Sequence, residues 1–213
     1  MALEVQPVRS GRDRREFIEL PYRLHATSPH WTPPLRIERR LFLSPRFNAF
    51  FKHGEAELFL ARREGRVVGR ISAHIDHAYN AFHGSRWGMW GFFECEDDQE
   101  AADALLSAAE AWHRERDRDR MVGPMDFVMN DESGIVIEGG DLDAMIRQPW
   151  QPPYYRELCE RAGLECALSV YDYTPATRAD VRDSILGLTW LEERWEEGIT
   201  RGQLARLIWR SNL

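Results

Sequence analysis

A dense group of carboxylic acids follows an aromatic segment near the middle of the chain. The segment 87–93 is rich in aromatic residues, which favour a β-strand. Five of the seven residues from Glu94 to Glu100 are acidic. Glu94 comes directly after the apolar strand, where burial would raise its pKa, and it is therefore our candidate for a general base.

Further acids follow a second apolar segment, 121–125. If the two segments are neighbouring parallel strands, their carboxyl ends share one edge of the sheet, and Glu94 and Glu96 then face Asp131 and Glu132. Such an acidic mouth would suit a cationic amine, or a divalent ion bound through carboxylate oxygens. The alternative interpretation is that these acids only solvate surface loops.

The spacing of apolar residues predicts the elements that position these acids. A helix from about 101 to 116 lies between the two segments, so strand, helix and strand form a βαβ unit with parallel strands. Upstream, 56–62 and 67–75 predict a β-hairpin around a glycine-containing turn. Downstream, a helix from about 154 to 162 ends at Gly163. This pattern predicts an α/β (α+β) fold.

In the first third of the chain, the sequence predicts two helices before the hairpin. A helix that carries Phe17 and Leu24 is expected to kink or end at Pro21. A second helix is expected to run through Leu43. After the hairpin, 77–85 is expected to be a polar connecting segment.

The composition limits the kind of protein that this sequence can specify. At 213 residues, of which 43% are apolar, we expect one main domain with a substantial core. The net charge of −7 disfavours nucleic-acid binding, and no apolar run reaches the roughly 18 residues of a membrane-spanning helix. We expect a cytoplasmic protein without a membrane partner. Cys159 and Cys166 are expected to be buried and Cys95 to be accessible.

Several phrases of the sequence resemble the GCN5-related N-acetyltransferase (GNAT) superfamily, and within it a bacterial branch of acetyltransferase-like proteins. The phrases are His30–Leu35, Gly91–Glu94, Asn130–Gly134, Pro152–Tyr155 and the late helix Tyr154–Leu164. The resemblance implies a GNAT-like mixed twisted sheet with antiparallel N-terminal strands, a central parallel βαβ unit, flanking helices and terminal strands within 164–173.

The resemblance also implies a domain organisation. It covers roughly 3–173, which gives a GNAT-like acyltransferase domain at 1–175 and a helical C-terminal extension at 176–213. Members of the branch are longer, so we expect this chain to be a shortened form. The extension is rich in tryptophan, and we expect it to offer a contact surface for a homo-oligomer.

What the resemblance implies for function is transfer of an acetyl or other acyl group from acyl-coenzyme A to an amine. Glu94 would accept a proton from the amine, and Tyr155 would protonate the leaving thiolate. The acceptor could be a small-molecule amine, a peptide N-terminus or a lysine. These three substrate classes stay open.

The same resemblance assigns residues to the co-substrate. The pantetheine arm binds exposed strand backbone in that fold, which here falls on Phe92, Phe93 and Cys95. The pyrophosphate lies at the start of the central helix, where Ala102 matches the small residue of the family's turn. Asn130 either holds a turn or contacts the ligand.

The pyrophosphate turn also departs from the family's pattern. Asp97 and Glu100 occupy positions that hold Arg or Gln and Gly in the family, and carboxylates oppose a phosphate. An alternative is that Asp97, Asp98 and Glu100 cap the helix N-terminus. Two further functions therefore stay open: a non-catalytic GNAT-like binding or assembly module, and a metal-dependent site at the acidic cluster. The histidine spacing fits no zinc pattern, and no metal cofactor is expected.

Overall fold

The structure, a computed structural model, describes residues 2–144 and 148–167 of the 213-residue chain. Its strands are β1 (Leu3–Pro7), β2 (Gly54–Arg63), β3 (Arg66–Asp76), β4 (Trp87–Cys95) and β5 (Arg120–Val122). Its helices are α1 (Gly11–Leu24), α2 (Arg36–Phe42), α3 (His77–His83), α4 (Gln99–Arg114) and α5 (Tyr154–Arg161), with a short 3₁₀ helix at Ala49–Lys52. The expected extension, 176–213, lies outside the described residues.

The strands form one mixed sheet whose spatial order follows the order of the chain. β1 to β4 pair antiparallel, and β5 runs parallel to β4 after the α4 crossover. The hairpin between β2 and β3 turns at Glu64 and Gly65, whose φ angles of 53° and 79° suit a two-residue turn. The predicted α/β fold, with antiparallel N-terminal strands and a parallel βαβ unit, is confirmed.

Helices cover both faces of the sheet, because each carries one apolar side. On one face, Leu105 of α4 and Leu158 of α5 belong to the larger core cluster and are at most 2% exposed. On the other face, Phe17 of α1 packs with Phe92 and Phe127 in a second cluster. The functional region lies where this second cluster meets the end of β4.

β4 and β5 pair over a short stretch because β5 ends at Val122, and the chain after β5 stays close to β4, with the N–H of Met125 donating to the Trp90 carbonyl at 2.8 Å. Their pairing covers Trp87–Met89, while β4 itself continues to Cys95. At Gly91 a side chain has no room, since a Cβ there would lie 1.8 Å from the carbonyl oxygen of Met125. Phe92 then takes a φ of 49°, and its N–H donates to the Asp126 carboxylate at 2.8 Å. At the point where β4 bends, the Asp126 side chain therefore accepts the backbone hydrogen bond that a neighbouring strand would otherwise accept.

Three local expectations differ from the structure. The segment 77–85 contains α3, because Asp76 caps its first turn and Gly84 ends it at a φ of 62°. Pro21 lies inside α1, so it does not end the helix, and the alternative expectation of a kink stays a prediction. α4 begins at Gln99 rather than at 101, since the Asp98 side chain supplies its N-cap.

The end of the described chain corrects two more predictions. Residues 164–167 form no strand, and 168–173, where terminal strands were predicted, lie outside the described residues. Cys159 is buried as expected, but Cys166 is exposed, which corrects the expectation that it is buried.

Candidate functional site

The carboxylate of Glu94 is the centre of a buried hydrogen-bond network at the end of β4. Its Oε2 atom lies 2.7 Å from Nε2 of His25 and accepts a 2.7 Å hydrogen bond from the Tyr155 hydroxyl. Its Oε1 atom lies 3.4 Å from Nη2 of Arg70. His25, Arg70 and Tyr155 are all buried. The carboxylate therefore has three donors around it and little contact with solvent.

A proline inside α1 helps to fix two of these partners. Pro21 has no N–H, so the carbonyl of Phe17, one turn earlier, lacks its helical donor. Nη1 of Arg70 donates to that carbonyl at 2.7 Å, and its guanidinium lies 4.9 Å from the Phe17 ring. The backbone N–H of His25 donates to the Pro21 carbonyl at 2.9 Å and ends the helix. The irregular end of α1 thus orients the side chains of Arg70 and His25 toward Glu94.

The environment keeps Glu94 ionised. Burial raises the pKa of Glu94, but the His25 hydrogen bond, the Arg70 charge and the Tyr155 hydrogen bond outweigh burial, so the net pKa lies below its ordinary value. The raised pKa expected from the sequence is therefore wrong, because the partners that lower it come from distant segments. Burial, together with the Glu94 charge, raises the pKa of Tyr155 well above its ordinary value, so its hydroxyl stays protonated.

A second group of charges lies beside Glu94. Arg39 of α2 places Nη1 3.5 Å from Oδ2 of Asp126 and Nη2 3.4 Å from Oε1 of Glu132. Burial and the charge of Glu132 raise the pKa of Asp126 to about 8, and burial also raises the pKa of Glu132. With Glu94 and Arg70, these side chains line a cavity of about 30 Å³, the room of roughly one small polar group.

Two of the four acids that the sequence was expected to bring together at the strand ends do line this cavity. Glu132 lines it together with Glu94, as two neighbouring strand ends predict. Glu96 instead pairs with Arg23 at 2.9 Å and with Arg66. Asp126, which supplies the third carboxylate, was not predicted from the sequence.

The backbone at the end of β4 is engaged by α5. The N–H of Cys95 donates to the Tyr155 hydroxyl at 2.9 Å, and its carbonyl accepts from the Tyr154 hydroxyl at 2.9 Å. Cys95 itself is 0% exposed, which corrects the expectation that it is accessible. Phe93 packs edge-on to Tyr155, with ring centroids 5.4 Å apart, and the N–H of Phe92 is taken by Asp126 as described above.

The acidic residues at the N-terminus of α4 cap the helix and pair with Arg63. Asp98 accepts the N–H of Ala101 at 3.2 Å, and Arg63 donates to Asp98 at 2.7 Å and to Glu100 at 2.8 Å. Helix capping, the alternative interpretation of these acids, is what Asp98 does here. Ala102 is 0% exposed and belongs to the core beneath the helix.

Asn130 lies apart from the Glu94 network. It is exposed, in the turn that Asp131 closes by donating its N–H to the Val128 carbonyl at 3.1 Å. Of the predicted site residues, the structure thus brings Glu94, Tyr155 and the Cys95 backbone into contact. Among residues 2–144 and 148–167, no group of three or more His, Cys, Asp or Glu side chains is arranged to hold a metal ion.

Comparisons with known proteins give two sequence relatives. The chain is 38% identical over 207 residues to the "Bacterial ceramide synthase" of Caulobacter vibrioides, across 97% of this chain and 52% of that protein. It is 35% identical over 151 residues to "Protein YghO" of Escherichia coli, across 71% of this chain and 38% of that protein. The chain thus spans about half, or less, of the length of these curated relatives. No family model matches it.

A solved structure supports the fold. The chain is similar to a tandem GNAT protein from the clavulanic acid biosynthesis pathway, with a TM-score of 0.51 and 18% identity, across 76% of this chain and 43% of that one. The described chain has the fold of the GNAT superfamily, as the sequence resemblance predicted. No helix in the described residues is long and apolar enough to cross a membrane.

Proposed function

We propose that the chain carries an N-acyltransferase site, in which an amine attacks the carbonyl carbon of an acyl thioester such as acyl-coenzyme A. The observation that carries the proposal is the 2.7 Å pair of His25 and Glu94 at the end of β4, beyond the stretch in which β4 pairs with β5. The GNAT fold supports acyl transfer as the reaction class. The name of the Caulobacter relative supports an amide product, since ceramide is an N-acylated long-chain amino alcohol.

The proposed reaction forms a carbon–nitrogen bond and breaks the carbon–sulfur bond of the thioester. The attacking amine must lose a proton, and the departing thiolate must gain one. Glu94 already accepts hydrogen bonds from its neighbours and has a lowered pKa, so it is a poor final acceptor. When Nε2 of His25 donates to Glu94, the lone pair of Nδ1 is left over. That atom is buried and has no hydrogen-bond partner in the described residues.

His25 is therefore the proton acceptor in this proposal, and Glu94, predicted from the sequence as the base, acts by holding it. The imidazolium formed in the attack is stabilised by the Glu94 carboxylate and returns its proton to the thiolate. Tyr155 was predicted as the acid for the thiolate. Its proton is engaged with Glu94, so its role here is to hold the carboxylate.

The charges of the cavity fit a cationic acceptor. Glu94, Asp126 and Glu132 together carry one more formal charge than Arg39 and Arg70 balance. The raised pKa of Asp126 favours a proton on the pair of Asp126 and Glu132, and that proton balances the charges of the empty cavity. An ammonium group could take the place of that proton in a cavity of about 30 Å³, which Glu94 lines and which His25 reaches only through its contact with Glu94. We propose a primary amine as the acceptor and a long-chain amino alcohol as the first compound to test.

The test is amine-dependent release of free thiol from acyl-coenzyme A, measured with acetyl and long-chain acyl donors. We expect His25→Asn and Glu94→Gln to lower the turnover number by at least about 100-fold with a smaller change in KM. Glu57→Gln, which removes a surface ion pair with Arg9, is the control and should stay within about 3-fold. Absence of amine-dependent release with every donor, or full activity of folded His25→Asn, would reject the proposal.

A second candidate, a non-catalytic GNAT-like binding module, is favoured by a different observation. Both backbone groups of Cys95 are bonded to tyrosine hydroxyls, and Asp98 with Arg63 closes the start of α4. These are the places where the resemblance puts pantetheine and pyrophosphate. Thermal unfolding with millimolar acetyl-coenzyme A separates the two candidates. A ligand that binds the folded state at a hundred times its Kd stabilises it by about 2.7 kcal/mol, and no shift would favour the module.

A further inference from the structure

α2 and the loop after it present an apolar surface that no described part of the chain covers. We call it the α2 face and define it by Leu35, Ile37, Leu41 and Phe47. Their exposed fractions are 71%, 59%, 43% and 63%. α2 buries none of its own residues. Ile37, Leu41 and Phe47 line an open groove of about 370 Å³. Contiguous exposed apolar surface of this kind marks a site of interaction.

Helix geometry explains why these side chains face outward. Arg39 points toward Asp126 and the inner cavity, and Phe42 stacks on Phe127 with ring centroids 5.5 Å apart. These two residues fix the inner side of α2. Ile37 and Leu41 are four residues apart and therefore share the opposite side. The apolar side chains are thus held outward by contacts that build the candidate site.

The rim of the α2 face is cationic, although the chain carries a net charge of −7. Arg40 and Arg46 are both exposed, and no carboxylate in the described residues lies within ion-pair distance of either. The Arg46 guanidinium lies 5.5 Å from the Phe47 ring, directly beside the apolar groove. Glu38 also lines the groove, where its carboxylate is paired with Arg39 at 3.2 Å. Elsewhere most arginines are paired, such as Arg62 with Asp13 at 3.1 Å.

We propose that the α2 face docks on the surface of an anionic lipid bilayer. Ile37, Leu41 and Phe47 would enter the headgroup region, while Arg40 and Arg46 would contact lipid phosphates. Apolar side chains ringed by unpaired cations are the pattern of interfacial binding, in which apolar burial and attraction to anionic lipid act together. The two unpaired arginines beside the apolar side chains favour an anionic partner surface. The proposal revises the expectation of no membrane partner.

This docking is independent of the acyl-transfer proposal. It requires only the exposed residues of α2 and the following loop, and none of the groups around Glu94. The two are connected by Arg39, which lies on the inner side of the same helix and lines the cavity. A bilayer on the α2 face would lie about one helix diameter, roughly 10 Å, from that guanidinium. The candidate site would then work close to a lipid surface.

Vesicle flotation of the full chain tests the proposal. The probes are phosphatidylcholine vesicles with and without phosphatidylglycerol, at low and high salt. We expect binding to the anionic vesicles only, weakened at least about 10-fold by high salt. The double variants Leu41→Glu with Phe47→Glu, and Arg40→Glu with Arg46→Glu, should each lower binding at least about 10-fold. Every substituted side chain is exposed, and thermal unfolding checks that both variants fold.

The matched control is Phe82→Glu on α3. Phe82 is 86% exposed and lies outside the α2 face, so this variant removes an exposed aromatic residue without changing the proposed surface. It should float like the unchanged chain. Failure of the unchanged chain to bind anionic vesicles, equal binding to neutral vesicles, or an equal loss in Phe82→Glu would overturn the proposal. A change of oligomeric state in Leu41→Glu with Phe47→Glu, without vesicle binding by the parent, would assign the face to self-association instead.

Discussion

Nε2 of His25 lies 2.7 Å from Oε2 of Glu94, although 69 residues separate the two in the chain. The contact joins the end of α1 to the end of β4. It gives the imidazole a fixed partner on one nitrogen and leaves the other nitrogen buried without one. A buried polar atom without a partner is costly, so its retention here is consistent with a role in binding or proton transfer.

The first prediction concerns the contribution of the Glu94 carboxylate to the free energy of unfolding. Glu94→Gln keeps the shape of the side chain but removes the only carboxylate that lies within ion-pair distance of the buried Arg70 in the described residues. We expect a loss of about 3 kcal/mol in the free energy of unfolding, measured by urea denaturation. Glu57→Gln removes an exposed pair with Arg9 and should cost less than about 1 kcal/mol. Equal losses in the two variants would show that the Glu94 network adds no more than a surface pair.

The second prediction concerns the buried carboxyl of Asp126. Its pKa is raised in the folded state, so folding favours the protonated form, and stability falls as the pH rises from about 4 toward about 8. Asp126→Asn keeps an oxygen for the Phe92 N–H and cannot ionise. The variant should therefore gain stability relative to the parent at pH 8 compared with pH 5, by a few kcal/mol. A difference that does not depend on pH would contradict the assignment.

The third prediction concerns two buried histidines outside the site. Burial lowers the pKa of His74 to about 3 and that of His113 to about 4. Both are therefore neutral in the folded state, and their contribution is present above the ordinary histidine pKa of about 6.5 and is lost as the pH falls below it. The free energy of unfolding should fall by up to roughly 3 kcal/mol per pH unit below 6.

His74→Leu separates this effect from other acid titrations. Nε2 of His74 has no partner in the described residues, and the ring packs against Phe50 and Phe127. An apolar replacement should keep that packing and remove about half of the slope with pH. An unchanged slope would mean that His74 is not buried in its neutral form.

The fourth prediction tests the close approach of β4 to the chain after β5. Gly91→Ala would place a Cβ 1.8 Å from the Met125 carbonyl oxygen. The backbone must move, so we expect a loss of at least about 3 kcal/mol, seen as a large fall in Tm. Gly11→Ala is the matched control, because nothing lies within 4 Å of its added methyl. If both variants kept the parent's Tm, the close contact would be wrong.

The sequence predicted the elements more fully than the site, for a physical reason. The hairpin, β4, α4 and α5 each leave a local pattern of apolar spacing and turn residues, and these were confirmed. Glu94 was found because an acid directly after an apolar strand is a local signal. His25 leaves no such signal, since its meaning depends on a partner 69 residues away.

Two other residues of the site, Arg70 and Asp126, stand at positions that are unusual for a charged residue. Arg70 stands in the middle of an apolar strand, and Asp126 stands between Met125 and Phe127. A charged residue inside a buried segment needs a counter-charge, so each position could have indicated a partner of opposite sign, although neither was used as a prediction. The identity of that partner comes only from the packing of α1, α2 and β4.

The central claim is that Glu94 holds His25 with the proton on Nε2 and a lone pair on Nδ1. Long-range ¹H–¹⁵N NMR of the His25 ring at neutral pH tests this claim most directly. The account predicts the Nε2–H form in the parent chain, and loss of this preference in Glu94→Gln. A proton on Nδ1 in the parent, or the same spectrum in both proteins, would contradict it.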